Sequence, residues 1–99
     1  MKMIYCTCDV SMLEILLRLL EEQHAEEFQV FDRVIARNRK GEPRLDTPVW
    51  PGYNAVVMVP ADEKKFAGLS EAILNLNREM KSENEQITIY SWDLQETTF

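Results

Sequence analysis

The spacing of apolar residues divides the chain into six segments. Two of them, from Ser11 to about Gln23 and from Asp62 to Met80, repeat apolar residues at steps of three and four, as helices with one buried face do. Four others have the residue types and lengths of strands. These four span residues 3–8, 28–38, 53–59 and 86–92. The order β-α-β-β-α-β predicts a ferredoxin-like α+β fold in which a four-stranded antiparallel sheet carries both helices on one face. We expect residues 1–99 to form one such domain.

Capping residues predict where the two helices begin. Ser11 followed by Glu14 fits a capping box, in which each side chain accepts a hydrogen bond from a free amide of the first turn. Asp62 is placed to cap the second helix. An apolar stripe then runs along that helix and should face the sheet. Its members are Phe66, Leu69, Ile73, Leu76 and Met80.

Both faces of the predicted sheet are apolar. In the third strand, Val56 and Met58 alternate with Ala55, Val57 and Val59, so each face receives apolar side chains. Two helices can cover only one face, and an uncovered apolar face usually marks an interface. We therefore predict a homo-oligomer in which the sheets of different subunits pack together.

The acidic composition excludes several kinds of partner. The chain has 17 Asp and Glu against 11 Lys and Arg, a net charge of −6. Nucleic-acid binding requires a basic face, so we expect none. No apolar run approaches the roughly 18 residues of a membrane span, and the N-terminal segment lacks the apolar core of a signal peptide. We expect a cytoplasmic protein with no membrane insertion.

The first strand has the pattern Lys-x-Ile-x-x-x-x-Asp, from Lys2 to Asp9, and is followed by a helix and by a second strand that runs into a long loop. This arrangement, over about residues 3–92, resembles the PII-like superfamily, which includes the nitrogen-regulatory PII proteins and the CutA-like proteins. The resemblance implies a homotrimer with its sheets at the centre and a small ligand between subunits. It also implies a non-enzymatic regulator that signals to a partner, such as a transporter or a regulatory protein, through the loop 37–52.

The turn after the second helix departs from the PII pattern. PII proteins hold nucleotide phosphates there with a glycine-rich turn and basic residues, whereas this chain has Lys-Ser-Glu-Asn-Glu at 81–85. Two carboxylates repel phosphate, and no glycines form a nest of amides. This difference argues against nucleotide binding of the usual PII kind, and the sequence identifies no cofactor.

Four of the eleven basic residues lie within eight positions of the loop. They are Arg37, Arg39, Lys40 and Arg44. In an acidic chain, such a cluster could recruit a small anion or an acidic partner by charge and bidentate contacts. The alternative is a solvated hairpin that its charges keep in water.

The segment 47–53 combines two prolines with Trp50, Gly52 and Tyr53. Trp50 and Gly52 could form one wall of a ligand cleft, with backbone amides near the glycine open to the ligand. The alternative is a rigid turn whose tryptophan packs on the edge of a sheet.

Cys6 and Cys8 lie on one face of the first strand and could share a soft metal ion such as Cu(I) or Zn²⁺. This favours an alternative function, a CutA-like trimeric metal-binding protein linked to metal efflux. Otherwise the two cysteines are small core hydrophobes, and we assign no metal site to them. With one histidine, His24, and no catalytic motif, we predict that the chain is not an enzyme. A third possibility is an interaction module without a small ligand.

Overall fold

Six main elements follow one another in the computed structural model, which describes residues 1–98. They are β1 (Lys2–Asp9), α1 (Leu13–Glu22), β2 (Gln29–Val34), β3 (Asn54–Ala61), α2 (Glu63–Glu79) and β4 (Thr88–Asp93). Short 3₁₀ turns at Val10–Met12 and Glu83–Glu85 precede α1 and β4. Within residues 1–98, no helix has the length and hydropathy that crossing a membrane requires.

The four strands form one antiparallel sheet in the order β2-β3-β1-β4. The register places Cys6 of β1 between Val57 of β3 and Ile89 of β4. Because side chains alternate along a strand, these residues share one face of the sheet. The α+β fold predicted from the order of elements is confirmed.

The core lies between this face and the two helices. Burial of each large aliphatic side chain stabilises the fold by roughly 1.5–3 kcal/mol. The sheet contributes Ile4, Cys6, Cys8, Val57 and Val59, and the helices contribute Leu16, Leu20, Leu69 and Ile73, all of them buried. The apolar stripe predicted for α2 therefore packs as expected, with Phe66, Leu76 and Met80 at its partly buried margins.

The two helix starts differ in how well the sequence predicts them. Asp62 caps α2, because its carboxylate accepts a hydrogen bond of 2.8 Å from the Lys65 amide. The prediction of a capping box formed by Ser11 and Glu14 is wrong. Asp9 instead accepts from both the amide (3.0 Å) and the hydroxyl (2.5 Å) of Ser11. The resulting 3₁₀ turn delays the start of α1 to Leu13.

The second strand is shorter than predicted. It ends at Val34 after a register shift between Phe31 and Val34. Beyond it, an isolated bridge joins Ala36 to Arg44 within the long loop. This bridge, with hydrogen bonds of 2.8 and 2.7 Å, divides the long loop into a hairpin at 37–43 and a turn at 45–52.

The sheet face opposite the helices carries large apolar side chains. The register brings Tyr5, Met58 and Tyr90 side by side, and Trp92 follows Tyr90 on the same face. The Tyr5 ring lies 6.2 Å from the Tyr90 ring and 6.4 Å from the Trp92 ring. Tyr90 is 53% exposed, Trp92 44% and Phe31 49%. We call this surface the uncovered face. The prediction that both faces are apolar is confirmed.

A stability prediction follows from the end of α1. His24 has a φ of 59° where the chain leaves the helix, and the Ala25 amide donates back to the Leu20 carbonyl at 3.0 Å. A side chain in this left-handed conformation costs about 1 kcal/mol. We expect His24→Gly to raise the free energy of unfolding by about that amount, measured by urea titration. The control is Gln23→Gly, at a φ of −88°, which should lower the free energy of unfolding. An increase in the free energy of unfolding of this control would contradict the explanation.

Candidate functional site

A groove of about 630 Å³ opens where β4 begins to pair with β1. The hairpin 37–43 forms one side of the groove, and the 3₁₀ turn Glu83–Glu85 contributes to the other. Tyr5 and Tyr90 of the uncovered face also line it. The groove is thus a cleft with several polar and charged residues in its lining, and it continues into an apolar surface.

Three cations of the hairpin line this groove. Arg37, Arg39 and Lys40 are exposed, and none of them forms an ion pair within residues 1–98. Unpaired charges of one sign at the wall of a cleft attract ions of the opposite sign. The structure therefore brings three of the six ligand-binding residues predicted from the sequence into one site, where they can receive an anion.

Arg44 also lines the groove, but its charge is already neutralised. Its Nε donates to Asp9 at 2.6 Å, and the two side chains are only 15% and 17% exposed. The hydrogen bond to Asp9 raises the pKa of Arg44. Burial of the Asp9 carboxyl opposes ionisation, but hydrogen bonds from Ser11 and Arg44 outweigh burial and lower the pKa of Asp9. We interpret Arg44 as a clamp at the base of the hairpin.

Asn54 fastens the hairpin to the sheet. It is 1% exposed, the only buried polar residue within 1–98, and its amide donates to Thr7 at 3.2 Å and to Asn38 at 2.9 Å. A buried amide is stable only when such partners satisfy it. Asn54 is not among the site residues predicted from the sequence, although a single amide in the otherwise apolar strand YNAVVMV is a signal that could have identified it.

Trp50 and Gly52 lie in the turn 45–52 and do not line the groove. The Trp50 amide donates to the Thr47 hydroxyl at 3.0 Å. Gly52 has a φ of +85°, and a Cβ there would lie 3.1 Å from Cδ of Arg44. These contacts favour the rigid turn, with Gly52 making room for the clamp. A ligand-binding role for Trp50 and Gly52 stays a prediction.

The two cysteines face the helices and are buried in the core. Burial is the main reason that the pKa of both thiols is raised to about 12. The neighbouring Cys8 raises the pKa of Cys6 further, and Asp9 does the same for Cys8. Cysteine binds metal ions as the thiolate, the form that burial disfavours here. Within residues 1–98, no three His, Cys, Asp or Glu side chains are grouped to hold a metal ion. The contacts of Cys6 and Cys8 favour core packing.

Comparisons with known proteins agree with this geometry at the level of fold. No family model and no curated protein sequence matches the chain. Among solved structures, CPII of Thiomonas intermedia K12, a nitrogen regulatory PII-like protein bound to ADP, AMP and bicarbonate, superposes with a TM-score of 0.74. The two share 10% identity over 98% of this chain and 92% of CPII. CPII bound to ADP, AMP and acetate superposes with a TM-score of 0.75, at 10% identity over 98% of this chain and 88% of CPII.

A PII-like signalling protein of Thermus thermophilus is a third match. It has a TM-score of 0.61 and 14% identity over 92% of this chain and 83% of its own. The chain therefore has the fold of the PII-like proteins, as the resemblance implied. CPII is described as a nitrogen regulatory protein and the Thermus protein as a signalling protein.

The clamp predicts a dependence of stability on pH. Because the folded-state pKa of Asp9 is lowered, its contribution to stability is present above the usual aspartate pKa of about 3.9 and is lost as pH falls through the folded-state value. Asp9→Asn keeps an acceptor for the Ser11 amide but removes the charge. We expect wild type to exceed Asp9→Asn in free energy of unfolding at pH 7, and this difference to shrink by pH 3.

Urea titrations at both pH values measure the difference. Asp32→Asn is the matched control, because Asp32 is exposed and has no ion pair within residues 1–98. A difference between wild type and Asp9→Asn that did not change with pH would contradict the role of the ion pair.

Proposed function

We propose that the protein is a non-enzymatic, PII-like regulator that binds a small anion in the groove and reports its presence through the loop 37–52. One observation carries the proposal: three cations of an acidic chain, Arg37, Arg39 and Lys40, line one groove without ion-pair partners among residues 1–98. The cluster therefore has charge to offer a ligand.

The charges around the groove favour a compact anion over a nucleotide. Glu83 lines the same groove as the three cations and, together with Glu85, occupies the short turn after α2. These carboxylates repel a chain of phosphates, whereas one negative charge can approach the hairpin side alone. CPII, which shares this fold, is described as bound to bicarbonate and to acetate as well as to ADP and AMP. We propose bicarbonate or a small carboxylate as the ligand class.

We also propose that the protein forms a homotrimer through the uncovered face. Four residues form a continuous apolar surface that the rest of residues 1–98 leaves open: the exposed Tyr90 and Trp92 and the partly exposed Tyr5 and Met58. Tyr5 and Tyr90 belong both to this face and to the groove. A second copy on the face would therefore close one side of the groove, which would become a cleft between subunits.

The hairpin 37–43 is the element best placed to signal. It carries the cations and is attached to the fold by a few polar contacts instead of a hydrophobic core. Segments held in this way are easily reordered by a ligand. We propose that a transporter or regulatory protein recognises the loop, and that the protein works in the cytoplasm, as the sequence predicted.

Removing the three cations should abolish most of the anion binding. Each exposed charge contributes roughly 0.2–1 kcal/mol to such contacts. We expect the triple variant Arg37→Ala/Arg39→Ala/Lys40→Ala to bind bicarbonate about tenfold more weakly than wild type. Isothermal titration at low salt measures this, with acetate, AMP and ADP as the other ligands.

A second triple variant, with the same net charge as the first, distinguishes an effect of the groove cations from an effect of the total charge of the protein. Arg18, Lys64 and Arg78 are exposed on the two helices and do not line the groove. Alanine at these three positions should leave the affinity close to that of wild type. Equal losses in both triple variants, or ADP binding more tightly than bicarbonate in wild type, would refute the proposed ligand.

Charges on the uncovered face should prevent trimer formation. We expect wild type to have three times the 11.6 kDa mass of the chain in light scattering, and Tyr90→Glu/Trp92→Glu to have the mass of one chain, because burying unpaired carboxylates is costly. The control Val30→Glu/Val49→Glu changes two exposed apolar residues that lie neither on this face nor at the groove and should stay trimeric. A monomeric wild type would rule the trimer out.

A further inference from the structure

One long-range contact joins the tip of the cationic hairpin to the opposite side of the groove. The Glu42 amide donates to Oδ1 of Asn84 at 2.8 Å, across 42 positions of the chain. A backbone amide only donates, so the oxygen of the Asn84 side chain must face it. The contact therefore fixes the orientation of this side chain.

Residues on both sides of this hydrogen bond favour its formation. On the hairpin, Gly41 has a φ of +78°, and a Cβ there would lie 2.4 Å from Oδ1 of Asn84. Only glycine allows the tip to approach so closely. On the other side, the backbone N–H of Asn84 donates to the Ser82 hydroxyl at 3.1 Å. This hydrogen bond fixes the backbone from which the Asn84 side chain extends.

The hairpin is attached at three separate points. The bridge between Ala36 and Arg44 closes its base, and Asn38 bonds to the buried Asn54 on the sheet. Asn84 provides the third attachment, at the tip. Arg37, Arg39 and Lys40 lie between base and tip, and their mutual repulsion favours a looser arrangement. The contact at the tip opposes that repulsion.

We propose that Asn84 is a positioning residue that latches the cationic hairpin across the groove before any ligand binds. The groove keeps its volume of about 630 Å³ with the latch closed, so the contact holds the cations in place without filling the site. The part of this inference that concerns anion affinity rests on the proposed function, whereas the latch itself does not.

Asn84 also has a second polar group at the site. Its side chain lines the groove, and its Nδ2 has no hydrogen-bond partner within residues 1–98. The two N–H groups of this nitrogen are available to an anion. One amide can therefore hold the hairpin through its oxygen and meet the ligand through its nitrogen.

Limited trypsin digestion tests the latch, because trypsin cleaves after Arg37, Arg39 and Lys40. One hydrogen bond shifts an opening equilibrium by roughly two- to tenfold. We expect Asn84→Ala to increase cleavage at these sites by that factor, while cleavage after Arg18 in α1, which reports global unfolding, is unchanged. Mass spectrometry of the fragments gives both rates.

Three more variants make the digestion decisive. Asn84→Asp keeps an oxygen for the Glu42 amide and should stay protected, whereas Gly41→Ala displaces Asn84 from the hairpin side and should be cleaved faster. Asn75→Ala is the matched control, since it also removes an asparagine acceptor, bonded to Arg78 at 2.8 Å, but at a position that does not line the groove. Folded Asn84→Ala and Gly41→Ala proteins cleaved at the wild-type rate would overturn the proposal.

Titration with sodium bicarbonate separates the latch from the ligand. Asn84→Ala should bind about two- to tenfold more weakly, because the hairpin must be reordered. Asn84→Asp should also bind more weakly, since it adds a negative charge and lacks the free N–H groups, although its hairpin stays protected. If wild type binds no anion and Asn84→Ala is still cleaved faster, the latch is supported and only the proposed ligand is refuted.

Discussion

The ion pair between Asp9 and Arg44 holds three parts of the chain at one point. Asp9 ends β1, one of the two central strands, and also bonds to Ser11, which sets the turn into α1. Arg44 also pairs with Ala36, just after the end of β2, and so closes the base of the hairpin. A charge pair with little access to water is favourable only when both partners remain charged and hydrogen-bonded, and loss of either leaves the other unsatisfied. The place of the hairpin, and with it the groove, therefore depends on this contact.

The groove and the uncovered face are not independent surfaces. The sheet is apolar on both sides, but the two α-helices found within residues 1–98 cover only one of them. Tyr5 and Tyr90 extend the other side into the groove. Any partner that covers the apolar surface therefore also shapes the polar cleft. In the proposed trimer, assembly and ligand binding would be thermodynamically linked, because a ligand that contacts both copies favours the associated state.

The fold was largely predictable because periodic patterns determine it. The stripe on α2 and the cap at Asp62 are local signals, and the structure follows both. The start of α1 was not predictable in this way. The group that accepts the hydrogen bonds of Ser11 is Asp9, which belongs to the preceding strand and is held by Arg44, 35 positions away. The same applies to the site. A cluster of cations is visible in the sequence, whereas the amides of Asn54 and Asn84 acquire their roles only through partners far along the chain.

The burial of the two cysteines has a practical consequence for the chemistry of this protein. Only the thiolate form of cysteine reacts readily with peroxides, disulfides and alkylating reagents. With a pKa of about 12 and almost no exposure, Cys6 and Cys8 are nearly inert at neutral pH while the fold is intact. A single cysteine introduced on the exposed hairpin would consequently be the only fast-reacting thiol, so a fluorophore could report the movement of the hairpin in an otherwise unaltered chain.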